Sequence, residues 1–222
     1  TGTDATLASG IMAATIRQFG MEAGEATRVA DGLTAAANKS FNSVESLGEA
    51  LKYAAPVAAD ANMSLEETLA ILGSLGNMGI QGSAAGSALR RLLTLSAAES
   101  EKFQEVFNVA TTDAQGNARS LIDVLGEVAD ATANLGSGER AAKFNEVFGL
   151  LGITAASAIG KSVTDTRSLL KELEHAGGIA ENTAQQMESG IGGAFRILKS
   201  SLEGVGIAIG ESLNDPLKRM TQ

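Results

Sequence analysis

Between Asn38 and Arg91 the chain sets short apolar stretches between Ser, Gly and Pro in a fixed order, and this punctuation constrains the fold most. The order runs Asn38-Lys39-Ser40, Ser43 to Tyr53, Pro56-Val57-Ala58, Ser64 to Thr68, Gly79 to Ser83 and Leu89-Arg90-Arg91. Ser64 with Glu67 reads as a capping box: the serine oxygen accepts an orphan N–H and the glutamate reaches back to the serine N–H. Gly79 and Gly82 flank a turn that allows left-handed backbone at little cost. Each signal starts or stops a helix. None carries chemistry.

Periodicity extends this pattern along the chain. It predicts helices from near Asp4 to before Phe19-Gly20, from Glu22 to Ala37, and from Ser43 until Pro56 interrupts the third. Helices over Ser64 to Met78 and Ser83 to Leu95 then form a hairpin, with Leu69, Leu72, Leu89 and Leu92 inside it. Others follow over Glu99 to Val109, Ser120 to Asn134, Ser137 to Phe148, Leu150 to Ile159 and Thr164 to His175. The longest runs from about Glu181 to Leu213, stopped by Asn214-Asp215-Pro216. No alternating strand pattern of useful length is present. The expected fold is all-α, a bundle of many short helices joined by Gly/Ser turns and ending in one longer helix. Thr111 to Asn117 is the clearest loop. It marks the expected boundary between an N-terminal sub-domain, residues 1–110, and a C-terminal one, residues 111–222, with one continuous domain as the alternative.

Composition narrows the function. Aromatics are only 4% of the chain, 26 residues are Gly and two are Pro. Such a core is built from close helix contacts with few large anchors. A net charge of −9 argues against a phosphate-binding surface, and Arg90-Arg91 is the sole adjacent basic pair before Lys218-Arg219. Without Cys there is no disulfide or thiolate chemistry, and one His cannot make a multi-histidine metal site. No signal-peptide pattern opens the chain, and with Thr1 in place of Met the expectation is a segment of something longer.

Met187, Ile191, Phe195, Leu198, Leu202, Val205 and Ile209 recur at steps of three and four, close to a heptad seam. They read either as an interface between copies of the chain or as a helix docking on its own bundle. Gly192, Gly193, Gly204, Gly206 and Gly210 make that helix a poor free-standing coiled coil. Thr68 to Leu89 and Val147 to Gly160 carry no charge, which raises a membrane reading. Glycines at 73, 76, 79, 82 and 86 and the turn in the middle of the first run favour a buried hairpin. Gly204, Gly206 and Gly210 have the wrong spacing for a dinucleotide fingerprint. Glu66-Glu67 and Glu45 with Glu49 fit stabilisation of helix N-termini, and His175 fits a helix C-terminus. Tyr53 and the scattered Phe residues read as core. No catalytic set, cofactor site or metal site is identifiable, so nothing in the residues indicates an enzyme.

The ordered string from Asn38 to Arg91 resembles the core region of phage tail tape measure proteins. The resemblance continues at Gly116 to Leu125, Glu139-Arg140-Ala141-Ala142, Val147-Phe148-Gly149 and Met187 to Leu202, and more loosely at Phe19-Gly20-Met21 and Arg28 to Asp31. It implies a structural protein of the virion that is made in the host cytoplasm, lies in the tail lumen and sets tail length. The implied partners are tail tube and baseplate or tail-tip proteins, tail assembly chaperones and further copies of itself, with no specific nucleic acid. It also implies release at genome ejection, with the host membrane as a contact at that stage. Some such proteins carry wall-degrading domains, and nothing here resembles one. Two other readings remain open on the residues: a membrane-perturbing helical domain used at ejection, and a soluble helical adaptor unrelated to phage.

Overall fold

The computed structural model describes residues 5–189. Helix α1 (Ala5–Gln18) is followed by a 3-10 turn (Ala23–Glu25) and α2 (Ala26–Lys39). Ser43 caps α3 (Val44–Asp60) by accepting the Ser46 N–H at 3.1 Å, and Ser64 caps α4 (Leu65–Asn77) by accepting the Glu67 N–H at 3.0 Å. Then come α5 (Gly82–Ala98), α6 (Ser100–Phe107), α7 (Leu121–Thr132), α8 (Ser137–Lys161), α9 (Val163–Glu174) and α10 (Ile179–Ser189). Among the described residues there is no strand, only an isolated bridge between Thr112 and Ala118. The fold is all-α, as the sequence led us to expect. The chain forms two compact units, Thr1–Ala180 and Glu181–Gln222, and the first carries α1 to α9.

Helix α4 is the centre of that first unit. Every residue from Thr68 to Gly76 is buried, with α2, α3, α5, α8 and α9 around it. A helix that is apolar on all sides needs such a surround, and this accounts for the α4 half of the uncharged run without a membrane. Leu69, Leu72, Leu89 and Leu92 are fully buried as expected. The hairpin itself needs correction. The Gly79 turn joins α4 to α5, but α4 packs chiefly on α9 and α5 chiefly on α3. The α3/α5 approach is closest at Gly86, where a Cβ would overlap the Ala50 carbonyl.

Pro56 does not end α3 where the sequence led us to expect. The proline removes the donor for the Lys52 carbonyl one turn earlier, yet the helix runs on to Asp60. Lys52 and Pro56 both lie on the exposed side, where water can serve that carbonyl, while Ala54, Ala55 and Ala58 are buried against the bundle. The real stop is at Asn62 (φ 54°): its N–H and that of Met63 return to the Ala59 and Ala58 carbonyls, a Schellman closure.

Gly149 (φ 63°, ψ 176°) breaks α8 at the expected junction of two helices. Arg91 donates from Nε and Nη2 to the Phe148 carbonyl at 3.4 and 3.3 Å, serving an acceptor at the break. Phe103, Phe107, Phe144 and Phe148 form one buried cluster joining α6 to α8, with ring centroids 5.3 to 6.0 Å apart. Tyr53 and Phe41 are not core, being 38% and 78% exposed. Phe41 sits on the α2–α3 link, where its N–H is taken by Asn77 Oδ1 and its carbonyl by Gln81 Nε2. That local bonding fixes its backbone without enclosing its ring.

Candidate interaction surface

The seam expected to mediate helix association falls almost wholly outside the described residues. Met187 lies on α10, and Ile191, Phe195, Leu198, Leu202, Val205 and Ile209 lie beyond residue 189. Among the described residues no group of three His, Asp or Glu is placed to hold a metal ion. None of the described helices is long and apolar enough to cross a membrane. The carboxylates singled out in the sequence are engaged structurally. Glu66, 8% exposed, takes two hydrogen bonds from Arg28 at 2.7 and 2.9 Å, and Glu49 pairs with Lys52 at 2.6 Å. Burial pushes the Glu66 carboxyl up, but the Arg28 hydrogen bond, a backbone N–H and the Arg28 charge together hold it below the usual range. His175 is at the end of α9, with Nδ1 2.7 Å from the Lys171 carbonyl oxygen.

Glu67 and Asp31 do work that local pattern does not reveal. Only half of the expected capping box at Ser64 forms. The Glu67 carboxylate turns away from Ser64 and accepts the Ser120 hydroxyl at 2.6 Å and the N–H groups of Leu121 and Ile122. Glu67 thus caps α7 from 53 residues away. Asp31, 5% exposed, likewise reaches the far end of the first unit, accepting the N–H groups of Gly178 and Ala180 at 2.8 Å each. Exposed N–H groups at a helix start favour negative charge. No sequence signal pairs either acid with its partners, because each contact joins elements far apart in the chain.

Glu67 also borders a cavity of about 660 Å³. Its walls are the last turns of α3 and α5, the start of α4 and the hairpin-like loop from Thr111 to Leu121. Asp113 shapes that loop: Oδ1 accepts the N–H groups of Gln115 and Asn117, and Oδ2 accepts from Asn117 Nδ2. These bonds, the Asn117 side chain first, hold the Asp113 carboxyl below its usual range. Val57, Met63, Leu93 and Leu121 give apolar surface. Asp60 stands at the rim in the last turn of α3 with no ion-pair partner among the described residues, and neither α3 nor α5 has a basic residue in its last turn. Arg119 is already committed, to Glu127 and to the Ala110 carbonyl at 2.7 Å. Thr111 is 3% exposed, and its Oγ1 has no hydrogen-bond partner among the described residues. Sequence reasoning missed this site. The one available hint was Asp60, an acidic residue at a helix C-terminus where the dipole disfavours it.

The described residues build a buried helical bundle in which carboxylates join elements far apart in the chain. The sequence profile of the family described as phage-related minor tail protein matches residues 1–149, and the chain belongs to that family. It is 31% identical over 225 aligned positions to a tape measure protein of Pneumococcus phage Dp-1, covering 99% of this chain and 19% of that protein. It is 28% identical over 211 positions to a probable tape measure protein of Escherichia phage P2, covering 92% of this chain and 26% of that one. The chain therefore spans about a fifth to a quarter of the length of these curated relatives. No solved structure matches it.

Proposed function

We propose that this chain is a folded structural segment of a tail tape measure protein, acting in tail assembly and tail-length determination and released during genome delivery. The observation that supports this most is an alignment running through 99% of the chain to a relative of that name. The proposed place is the lumen of the virion tail. The proposed partners are tail tube and baseplate or tail-tip proteins, assembly chaperones and other copies of the parent protein, the last through the Met187 to Ile209 seam. The role is structural and not catalytic. A membrane-perturbing role gains nothing from the uncharged run at Thr68 to Leu89, whose α4 half is the buried centre of the bundle.

A ruler needs contour length, and a helix rises about 1.5 Å per residue. Packing short helices against one another gives up most of that length, so this segment is not itself the ruler. The test is a pair of in-frame deletions in the parent gene. Removing extended helical parts elsewhere should shorten tails in proportion to the residues lost. Removing residues 38–213 should give failed assembly or non-infectious particles. Infectious phage with proportionately shorter tails after the second deletion, seen by electron microscopy, would overturn the proposal.

A further inference from the structure

We propose that the cleft along the outer side of α5, at Arg90 and Arg91, docks an apolar helix of a partner protein through carboxylates that the helix carries. The cleft has a volume of about 460 Å³ and runs from Ala84 to Leu95, past Ala88, both arginines and Thr94. The second half of α8 flanks it: a Cβ at Gly152 would stand 3.4 Å from Arg91 Nε and 3.6 Å from Leu95 Cδ1. Arg90 is exposed, and neither arginine has a carboxylate partner among the described residues. Arg91 donates to the Phe148 carbonyl at 3.4 and 3.3 Å, an acceptor that carries no formal charge and leaves other N–H groups of the guanidinium over. No acidic residue lines the cleft, and α5 has none along its length. Helix ends do not cancel this charge. The α8 break sets the end of one helix against the start of the next, so their dipoles oppose there, while α5 enters the cleft by its positive end, at Ala84.

Two adjacent guanidinium groups without carboxylates select a carboxylate, which each can meet with paired N–H donors. The rest of the surface selects what carries it. Ala84, Ala88 and Leu95 are apolar. Leu150 is 83% exposed and follows Gly149, where a Cβ would lie 3.1 Å from Arg91 Nη2. A helix with an apolar face and flanking acids matches both parts. A free inorganic anion would leave the apolar part unused. A nucleic acid is a poor match, because two cations displace few counterions and no aromatic side chain lines the cleft for a base to stack on. The net charge of −9 opposes a polyanion further. Arg90 thereby has a use that the bundle's own ion pairs do not give it. This proposal does not rest on the tape measure reading, because the charge and lining belong to the bundle itself.

The test uses the 222-residue chain, isotopically labelled, titrated with a short apolar helical peptide bearing a pair of glutamates one turn apart. The same peptide with glutamine or lysine in their place, and a single-stranded thymidine oligonucleotide, serve as the other probes. The glutamate peptide should shift the amide signals of Ser87, Ala88, Arg91 and Thr94 saturably, about fivefold or more tightly than the glutamine form, and high salt should erase the difference. Arg90→Gln, at an exposed position with no ion pair, should remove most of that preference with the fold unchanged. Arg90→Glu should strengthen the lysine peptide relative to the native chain, which a merely structural role for Arg90 would not do. Leu150→Ser should weaken the glutamate and glutamine peptides alike. Equal binding of those two peptides by the native chain would reduce the site to an apolar cleft and overturn the proposal. Shifts with the oligonucleotide and none with the glutamate peptide would overturn the protein-partner assignment, and no shift with any probe would overturn the docking surface.

Discussion

Glu67 is partly enclosed and lacks a counter-ion, so its protonation is tied to folding. Burial, then the nearby Asp123 charge, push its carboxyl above the usual range against the bonds from Ser120, Ile122 and Leu121. Between the ordinary glutamate value of 4.5 and the raised one, the folded chain binds more protons than the unfolded chain. This group's contribution is therefore fully present below 4.5 and is lost as pH rises through the folded value. We expect Glu67→Gln, which keeps an acceptor for α7, to gain stability relative to the native chain as pH rises from 4.5 to neutral. Thermal midpoints of both proteins across that window check this, and a pH-independent difference would refute it. Glu66 behaves in the opposite sense because Arg28 compensates it. Arg28→Met should cost about 1–3 kcal/mol, less than a fully buried pair because Arg28 is half exposed. Replacing both by apolar residues should recover part of that loss in chemical denaturation.

At the scale of elements, caps are legible in the sequence and long-range geometry is not. Ser43, Ser64, Gly79 and the 111–117 loop declare themselves because each acts on its own neighbours within a few residues. Pro56 misleads because a helix interior tolerates proline when the freed carbonyl faces water and the opposite face is well packed. The partner helices of α4 and α5 are hidden because turn chemistry fixes where a chain reverses, not which faces bury the most area. The cavity is invisible because its walls come from separate stretches of chain. Glycine positions separate these two kinds of information. Gly86→Ala should cost about 3 kcal/mol, since the new methyl meets the α3 backbone at Ala50, which cannot yield as a side chain can. Gly10→Ala in α1 meets nothing within 4 Å and should stabilise by about 0.5–1 kcal/mol through helix propensity alone. Equal effects at the two sites in thermal unfolding would mean that the α3/α5 contact is looser than described.

For the first unit as a whole, the open matter is how it comes apart, and the 111–117 loop offers the means to ask. The sub-domains 1–110 and 111–222 stand as a proposal. The buried cluster takes residues from both sides of that loop, with α4 against α9, α5 against α8, and Phe103 and Phe107 against Phe144 and Phe148. Glu67 and Ser74 add polar links across it, to Ser120 and to Thr166 at 2.6 and 2.7 Å. Residues 112–118 are all exposed, so a protease site placed there can be cut with the bundle folded. Interfaces this apolar should hold the two fragments together after the cut. We expect them to co-elute on size exclusion and to unfold in one transition, at a lower midpoint because the nick frees chain entropy in the unfolded state. Fragments that separate and each retain a cooperative helical transition would instead establish two independent sub-domains. A bundle that unfolds as one unit would open in a single step when pulled from its ends, whereas independent halves would yield in two. Phe148→Ala offers a second route to the same answer. It should cost about 3–5 kcal/mol, and in a single cooperative unit that loss must appear at α2 and α4 as fully as at α6 and α8. Hydrogen exchange of the Val29, Leu72 and Phe103 amides reads it directly: unchanged protection at all three would locate the cooperative boundary at the loop, and equal loss would place all four helices in one unit.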